Sequence, residues 1–197
     1  MKLQEWQDKL EQDEFSKILA LLYGPCEEQR IEEERARYAS LLSAFESSFN
    51  VPSDADTFLF STPGRSEISG NHTDHQQGRV LACSVNLDII AAARLIDEPV
   101  IRIKSHEFPK TDEIEIDDLE PRENEREHSA ALIRGIAHKL DEAGYELGGC
   151  EVYTMSKVPK GSGLSSSAAF EVLVATVLDH LFGDGKLLPL ERAQISQ

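Results

Sequence analysis

The segment 149–182 constrains the fold most, because it joins a strand to an apolar helix through a turn of small residues. The strand is predicted at 149–159, and GSGLSSSA (161–168) follows it. The helix from Ala169 to Phe182 is apolar on nearly every side, which is typical of a helix buried in a protein core. We therefore expect a core helix here and not a cofactor site.

Helical and strand-like patterns alternate along the rest of the chain. Apolar residues recur at helical spacing in 1–22 and 31–49, which predicts two N-terminal helices. The pattern becomes strand-like from 58 to 103, and an acidic connection occupies 106–128. An amphipathic helix that packs on a sheet is predicted over 129–144.

This order of elements predicts an α+β domain whose mixed or antiparallel sheet begins near Thr57 and has its helices packed on one face. We divide the chain into an N-terminal helical segment, 1–50, and the domain that it leads into, 51–197. In the helical segment, glutamates are interleaved with arginines from Arg30 to Arg37, so opposite charges recur at helical spacing. This pattern favours a solvated helix face over a partner site.

The charge balance limits the class of partner. The chain has 20 Lys and Arg against 36 Asp and Glu, so its net charge is -16. This excess repels nucleic acid and anionic membranes, so an anionic ligand must be bound locally. The first residues, MKLQEWQDKLEQDEF, contain no apolar run that predicts a leader, and Cys26, Cys83 and Cys150 form no CxxC pair. We expect a cytoplasmic protein with reduced thiols and no membrane partner.

The turn GSGLSSSA has the features of an anion site. The first backbone N–H groups of a helix have no acceptor within it, and the helix dipole favours negative charge there. Gly161 and Gly163 let the backbone approach a phosphate, and the serines add hydroxyl donors. The spacing matches neither a Walker A loop nor a Rossmann fingerprint. Two interpretations stay open here: a nucleotide phosphate site and a serine-rich helix cap.

A second polar segment, PGRSEISGNHTDHQQG (63–78), lies between two apolar runs that are predicted to be strands. We expect a loop held at both ends by the sheet, and binding and catalytic groups concentrate in such loops. Its arginine, amide, carboxylate and imidazoles suit a polar ligand. Two alternatives are a zinc site formed by His72, Asp74 and His75 and a purely structural loop.

The two motifs together resemble the galactokinases of the GHMP kinase family, which pair a GRxNxIGEHTDY loop with a later PxGxGLSSSA turn. The matching residues are Gly64, Arg65, Gly70, His72, Thr73 and Asp74 in the first motif and Pro159, Gly161, Gly163, Leu164 and 165–168 in the second. The resemblance implies the N-terminal domain of a GHMP kinase. It also implies an enzyme that uses ATP to phosphorylate galactose at its C1 hydroxyl, the first step of galactose catabolism.

The same resemblance implies a role for each motif residue. Arg65 is expected to be the catalytic residue that stabilises charge on the transferring phosphoryl group, because a guanidinium fork suits phosphate oxygens. Ser167 is expected to help to hold Mg²⁺, which takes few protein ligands. The implied sugar ligands are Asn71, His72, Thr73 and Asp74. The implied ATP ligands are Gly161, Ser162, Gly163, Leu164, Ser165, Ser166, Ser167 and Ser105, although Ser105 also suits an ordinary strand end.

The chain departs from the family pattern at Glu67, Asn71 and His75, where the family has asparagine, glutamate and tyrosine. A GHMP kinase for another sugar is therefore one alternative, and a non-catalytic sugar- and ATP-binding relative, such as a sugar sensor, is another. In the family, the aspartate base and a further Mg²⁺-binding glutamate follow the position of Gln197. We therefore expect an N-terminal fragment that lacks the C-terminal domain, is inactive by itself and self-associates through its apolar helix.

Overall fold

The computed structural model describes residues 1–24, 27–70 and 78–196. Their secondary structure comprises α1 (Leu3–Leu10), α2 (Asp13–Tyr23), α3 (Glu28–Phe49), β1 (Phe58–Ser69), β2 (Leu81–Ile96), β3 (Val100–Ser105), β4 (Thr111–Glu115), a 3-10 turn (Glu123–Glu125), α4 (Ser129–Glu142), β5 (Gly149–Ser156), α5 (Ser166–Gly183) and α6 (Pro189–Ile195). The predicted first helix is two helices, α1 and α2, because the chain leaves the helical conformation at Gln12.

The five strands form one mixed sheet in the order β1-β2-β5-β3-β4. Neighbouring strands are antiparallel except β3 and β5, which run parallel. The parallel pair requires a crossover connection, and α4 lies within it. The predicted α+β class and mixed sheet are confirmed.

Helices cover both faces of the sheet, which differs from the expected packing on one face. Along β2, Ala91 and Ala93 belong to a core shared with α4 and α5, whereas Ile90 and Ala92 belong to a core shared with α1, α2 and α3. Successive strand residues point to opposite faces, so a strand that is apolar at every position needs cover on both. The N-terminal helical segment provides the second layer.

The polar segment 63–78 is not a loop along its whole length, as the sequence suggested. β1 continues to Ser69, and Arg65 pairs with Ser84 and Glu67 with Ala82 of β2. Two register shifts interrupt the pairing on either side of these residues. Backbone pairing with a strand many residues away determines this hairpin, and the local polarity of the sequence gave no sign of it.

Asp88 of β2 is a buried carboxylate beneath the N-terminal helices. It is 2% exposed, and its side chain accepts hydrogen bonds from Arg37 Nη1 at 2.7 Å, Tyr23 Oη at 2.7 Å and Ser61 Oγ at 2.6 Å. Burial, together with the charge of Asp88, raises the pKa of Tyr23. The tyrosine therefore remains a neutral donor to this carboxylate.

Glu34 of α3 extends this arrangement into a buried charge cluster, which we define as Glu34, Arg37 and Asp88. Glu34 is 2% exposed and accepts from Arg37 Nη1 at 2.9 Å and from Lys157 Nζ at 2.6 Å. The backbone N–H of Lys157 donates to Asp88 O at 2.8 Å. The helix face that the sequence indicated as solvated therefore carries buried charges, and they fasten α3 to the end of β5.

A second buried ion pair holds the start of α4. Arg134 lies inside the protein and donates from Nε and Nη2 to the two carboxylate oxygens of Glu125, each at 2.7 Å. The hydrogen bonds from Arg134 lower the pKa of the Glu125 carboxyl. This two-pronged geometry fixes the helix whose first residues form a wall of the candidate site.

Helix α5 is the core helix that the sequence predicted. Among the described residues it is a helix long and apolar enough to cross a membrane. Its residues Leu173, Val174, Val177 and Leu178 are nevertheless buried in the core beneath the sheet. α5 is therefore a core helix of this fold, as we expected.

Candidate functional site

A cavity of about 720 Å³ opens where the ends of β3 and β5 meet the N-termini of α4 and α5. This volume lies in the range of small-molecule and cofactor pockets. Ile89 of β2 lines it together with residues of these four elements and their connections: Ser105, Glu107, Phe108, Glu127, His128, Ser129, Ala131, Leu132, Thr154, Ser156, Lys157, Val158, Pro159, Lys160, Ser166, Ser167 and Phe170.

The turn between β5 and α5 leaves backbone donors unused at this cavity. Gly161 and Gly163 have φ values of +70° and +78°, a conformation that favours glycine. The first intrahelical bond runs from Ala169 N to Ser165 O at 3.0 Å, so the N–H groups of Ser166 and Ser167 have no acceptor within the helix.

The alternative of a serine-rich helix cap has little support from this geometry. Ser165 occupies the cap position with φ 57° and ψ 55°, and its side chain makes no capping hydrogen bond. Ser162 is occupied inside the turn, where Oγ donates to Pro159 O at 2.7 Å. Both features leave the helix N-terminus open to an anion from outside.

The structure brings Ser105 to the same cavity as Ser166 and Ser167. Its hydroxyl accepts from Thr154 Oγ1 at 3.0 Å across the parallel pair β3 and β5. The remaining residues predicted to contact ATP, Gly161 to Ser165, form the turn at the cavity edge and are not part of its lining.

Two lysines and a phenylalanine at the cavity were missed by the sequence reasoning. Lys160 Nζ lies 3.6 Å from the centre of the Phe108 ring, and Lys157 is bound to Glu34. Phe108 precedes Pro109 in a segment that the sequence analysis described only as an acidic connection. The position of Lys160 inside the turn was a signal that could have indicated a cation near a bound phosphate.

The first motif is held directly against the second. Arg65 lies on β1 with its side chain exposed, and its backbone N–H donates to Leu164 O at 3.1 Å. A Cβ at Gly64 would lie 3.0 Å from Leu164 O and 3.1 Å from Val158 Cγ1. Glycine at this position therefore permits the close approach of the strand and the turn.

The side chain of Arg65 makes no ion pair with any carboxylate of the residues that the structure describes. The predicted sugar ligands Asn71, His72, Thr73 and Asp74 lie outside the described residues, as does His75 of the zinc alternative. Within 1–24, 27–70 and 78–196, no group of three His, Cys, Asp or Glu residues could hold a metal ion.

Two protein-family models match the chain. Residues 43–95 match the galactokinase galactose-binding signature, and residues 131–197 match the GHMP kinase N-terminal domain. The first match contains the β1–β2 hairpin, and the second contains α4, β5 and the turn into α5. The chain is therefore similar to galactokinases in its first matched segment and to GHMP kinases in its second.

Among the curated proteins, the chain is similar to galactokinases. It is 35% identical over 161 residues to a galactokinase of Streptococcus thermophilus. The matched region covers 81% of this chain and 40% of the relative. It is 31% identical over 139 residues to a galactokinase of Clostridium tetani, covering 70% of this chain and 35% of the relative. The chain thus spans less than half the length of these relatives.

Solved structures also resemble this chain. Lactococcus lactis galactokinase complexed with galactose matches with a TM-score of 0.69 and 34% identity, over 79% of this chain and 41% of that one. Mevalonate kinase of Methanococcus jannaschii matches with a TM-score of 0.61 at 17% identity, over 72% and 45%. The second likeness shows the shared fold alone.

Proposed function

We propose that this chain is the sugar- and ATP-binding N-terminal part of a galactokinase-like enzyme that transfers the γ-phosphoryl group of ATP to the C1 hydroxyl of galactose. The observation that carries the proposal is the hydrogen bond from Arg65 N to Leu164 O, because it fastens the hairpin of the sugar motif to the anion turn. The galactokinase relatives support galactose as the acceptor.

In this proposal the nucleotide occupies the cavity, with its phosphates at the N-terminus of α5. The amides of 161–167 donate to phosphate oxygens, and the cavity wall at the half-buried Ser105 receives the rest of the nucleotide. The dipole of α5 adds favourable interaction with negative charge at this end. Because the chain has a net charge of -16, it needs such a local group of donors to bind a polyphosphate.

Ser167 is suited to the role of Mg²⁺ ligand, because it lines the cavity and Mg²⁺ binds oxygen ligands such as a hydroxyl. Mg²⁺ commonly takes one or two protein oxygens and completes its shell with phosphate oxygens and water. The ion, when bound, neutralises charge on the β- and γ-phosphates. A cytoplasmic location, where MgATP is available, belongs to the same proposal.

The sugar is bound by residues of the first motif. Asn71, His72, Thr73 and Asp74 hold its hydroxyl groups, and the C1 oxygen attacks the γ-phosphorus as the bond to ADP breaks. The hydroxyl proton passes to a general base, and Arg65 faces the charge on the transferring group. Residues 51–197 form the domain in this proposal, and residues 1–50 cover the second face of its sheet.

Replacing Arg65 by alanine should lower kcat of the galactose-phosphorylating enzyme that contains this chain by about 10²-fold or more, because the guanidinium meets charge that develops in the transition state. Galactose-dependent ADP release measures the effect. Arg79→Ala is the matched control, since Arg79 is an exposed arginine on the same hairpin. An Arg65→Ala enzyme with the turnover of the control would remove this assignment.

Replacing Asp74 by alanine should raise KM for galactose more than it lowers kcat, because a ligand of non-reacting hydroxyls binds the ground state and the transition state alike. Initial rates at varied galactose and saturating MgATP separate the two constants. A KM for galactose equal to that of the unchanged enzyme would show that the sugar is held elsewhere.

A further inference from the structure

Lys160 and Phe108 form a cation–aromatic pair at the mouth of the cavity. The ammonium lies 3.6 Å from the ring centre, and both residues belong to the cavity lining. Phe108 is 45% exposed, which is a large exposed fraction for an aromatic side chain. Lys160 stands between Pro159 and Gly161, inside the turn that leads into α5.

Two lysines line this cavity, and Lys160 is the one that forms no ion pair with a carboxylate of the described residues. Lys157 is bound to the Glu34 carboxylate at 2.6 Å, whereas no carboxylate of the described residues forms an ion pair with Lys160. The nearby Glu107 accepts from the backbone N–H of Ser156 at 3.0 Å. In a chain with 36 acidic residues, an uncommitted lysine beside an open helix N-terminus is available to an incoming anion.

The aromatic ring explains how the lysine is held without an acidic partner. An ammonium over a ring face is attracted by the ring quadrupole, and the attraction is weak at an exposed site. A carboxylate partner would neutralise the lysine, but a ring orders it and leaves its charge uncancelled. The charge can therefore act on a phosphate at the same cavity.

We propose that Lys160 binds the phosphates of the nucleotide and that Phe108 is a positioning residue that holds the ammonium at the cavity mouth. This inference rests on the proposed nucleotide site. It adds a cationic ligand to a site otherwise built from backbone amides and serine hydroxyls. Phe108 acts through Lys160 and makes no contact with the nucleotide base.

A double-mutant cycle on the 197-residue chain tests both roles. Dissociation constants for ATP, inorganic tripolyphosphate and adenosine are measured by titration calorimetry for the unchanged chain, Lys160→Met, Phe108→Leu and the double variant. Lys186→Met is the matched control, because Lys186 is exposed near the opposite end of α5. Thermal melting of each variant checks that the fold is retained.

Lys160→Met should weaken ATP and tripolyphosphate binding by about tenfold to a hundredfold, the range for hydrogen bonds to charged groups, and leave adenosine unchanged. Phe108→Leu should weaken the two phosphate ligands by about two- to fivefold, the range for an exposed cation–aromatic contact. In the Lys160→Met background, Phe108→Leu should have no further effect.

Each contrary outcome has a separate meaning. If the unchanged chain binds neither ATP nor tripolyphosphate, the proposed nucleotide site is wrong and this inference fails with it. If the unchanged chain binds both and Lys160→Met binds them equally well, the inference alone is overturned. If Phe108→Leu weakens adenosine binding, or acts fully in the Lys160→Met background, the ring contacts the nucleotide itself and its positioning role is overturned.

Discussion

Replacing Asp88 by alanine should destabilise the chain by about 3–5 kcal/mol, the usual effect of removing one partner from a buried ion pair. Arg37 would keep its charge, with only 9% of its side chain exposed, and would retain Glu34 as its one carboxylate. Tyr23 and Ser61 would also lose the acceptor for their hydroxyl groups. Because α2, α3 and β2 meet at this carboxylate, the N-terminal layer should loosen from the sheet.

Urea unfolding followed by circular dichroism measures this loss of stability. Asp56→Ala is the matched control, because Asp56 forms an exposed ion pair with Lys2 and such pairs contribute about 0–1 kcal/mol. An Asp88→Ala chain that unfolds at the same urea concentration as the control would show that the cluster does not hold the layer in place.

Replacing Gly64 by alanine should weaken both the fold and ATP binding. The new Cβ would lie 3.0 Å from the backbone oxygen of Leu164, which cannot move unless the turn moves with it. Overpacking of this kind costs about 1–3 kcal/mol. Displacing the turn also moves the amides at the start of α5, so we expect the dissociation constant for ATP to rise by about tenfold or more, as displaced donors lose hydrogen bonds to a charged ligand.

Gly135→Ala provides the comparison, because a Cβ at Gly135 has no atom within 4 Å and the residue lies in α4. That change should leave ATP binding unaltered and slightly stabilise the helix. Equal ATP affinity in Gly64→Ala and Gly135→Ala chains would mean that the contact between the two motifs has no part in nucleotide binding.

The sequence correctly predicted those secondary-structure elements that are determined by residues close together along the chain. The apolar run of 169–182 and the small-residue turn before it predicted a buried helix with an open N-terminus, and α5 begins at Ser166 as a core helix. The family resemblance rested on this turn together with Gly64, Arg65, Gly70 and 72–74, and it is confirmed by the matches to both family models. The expected roles of individual site residues remain predictions.

The features that the sequence did not predict depend on partners far along the chain. Glu34 was interpreted as part of a solvated face, yet its partner Lys157 lies 123 residues away. The extension of β1 beyond Pro63 depends on pairing with β2, and no pattern within the segment itself predicts that pairing. The second helical layer follows from β2 being apolar at successive positions, a pattern that the sequence analysis described only as strand-like.

The nucleotide site at the start of α5 is tested most directly by titrating the ¹⁵N-labelled chain with ATP and following its backbone amide signals by NMR, because those amides are the proposed donors. The largest shifts should fall on Gly161 to Ala168, with smaller ones near Ser105, and tripolyphosphate should reproduce those in the turn. Saturable ATP binding that leaves the amides of 161–168 unshifted, or shifts confined to α1, α2 and α3, would contradict the proposed nucleotide site.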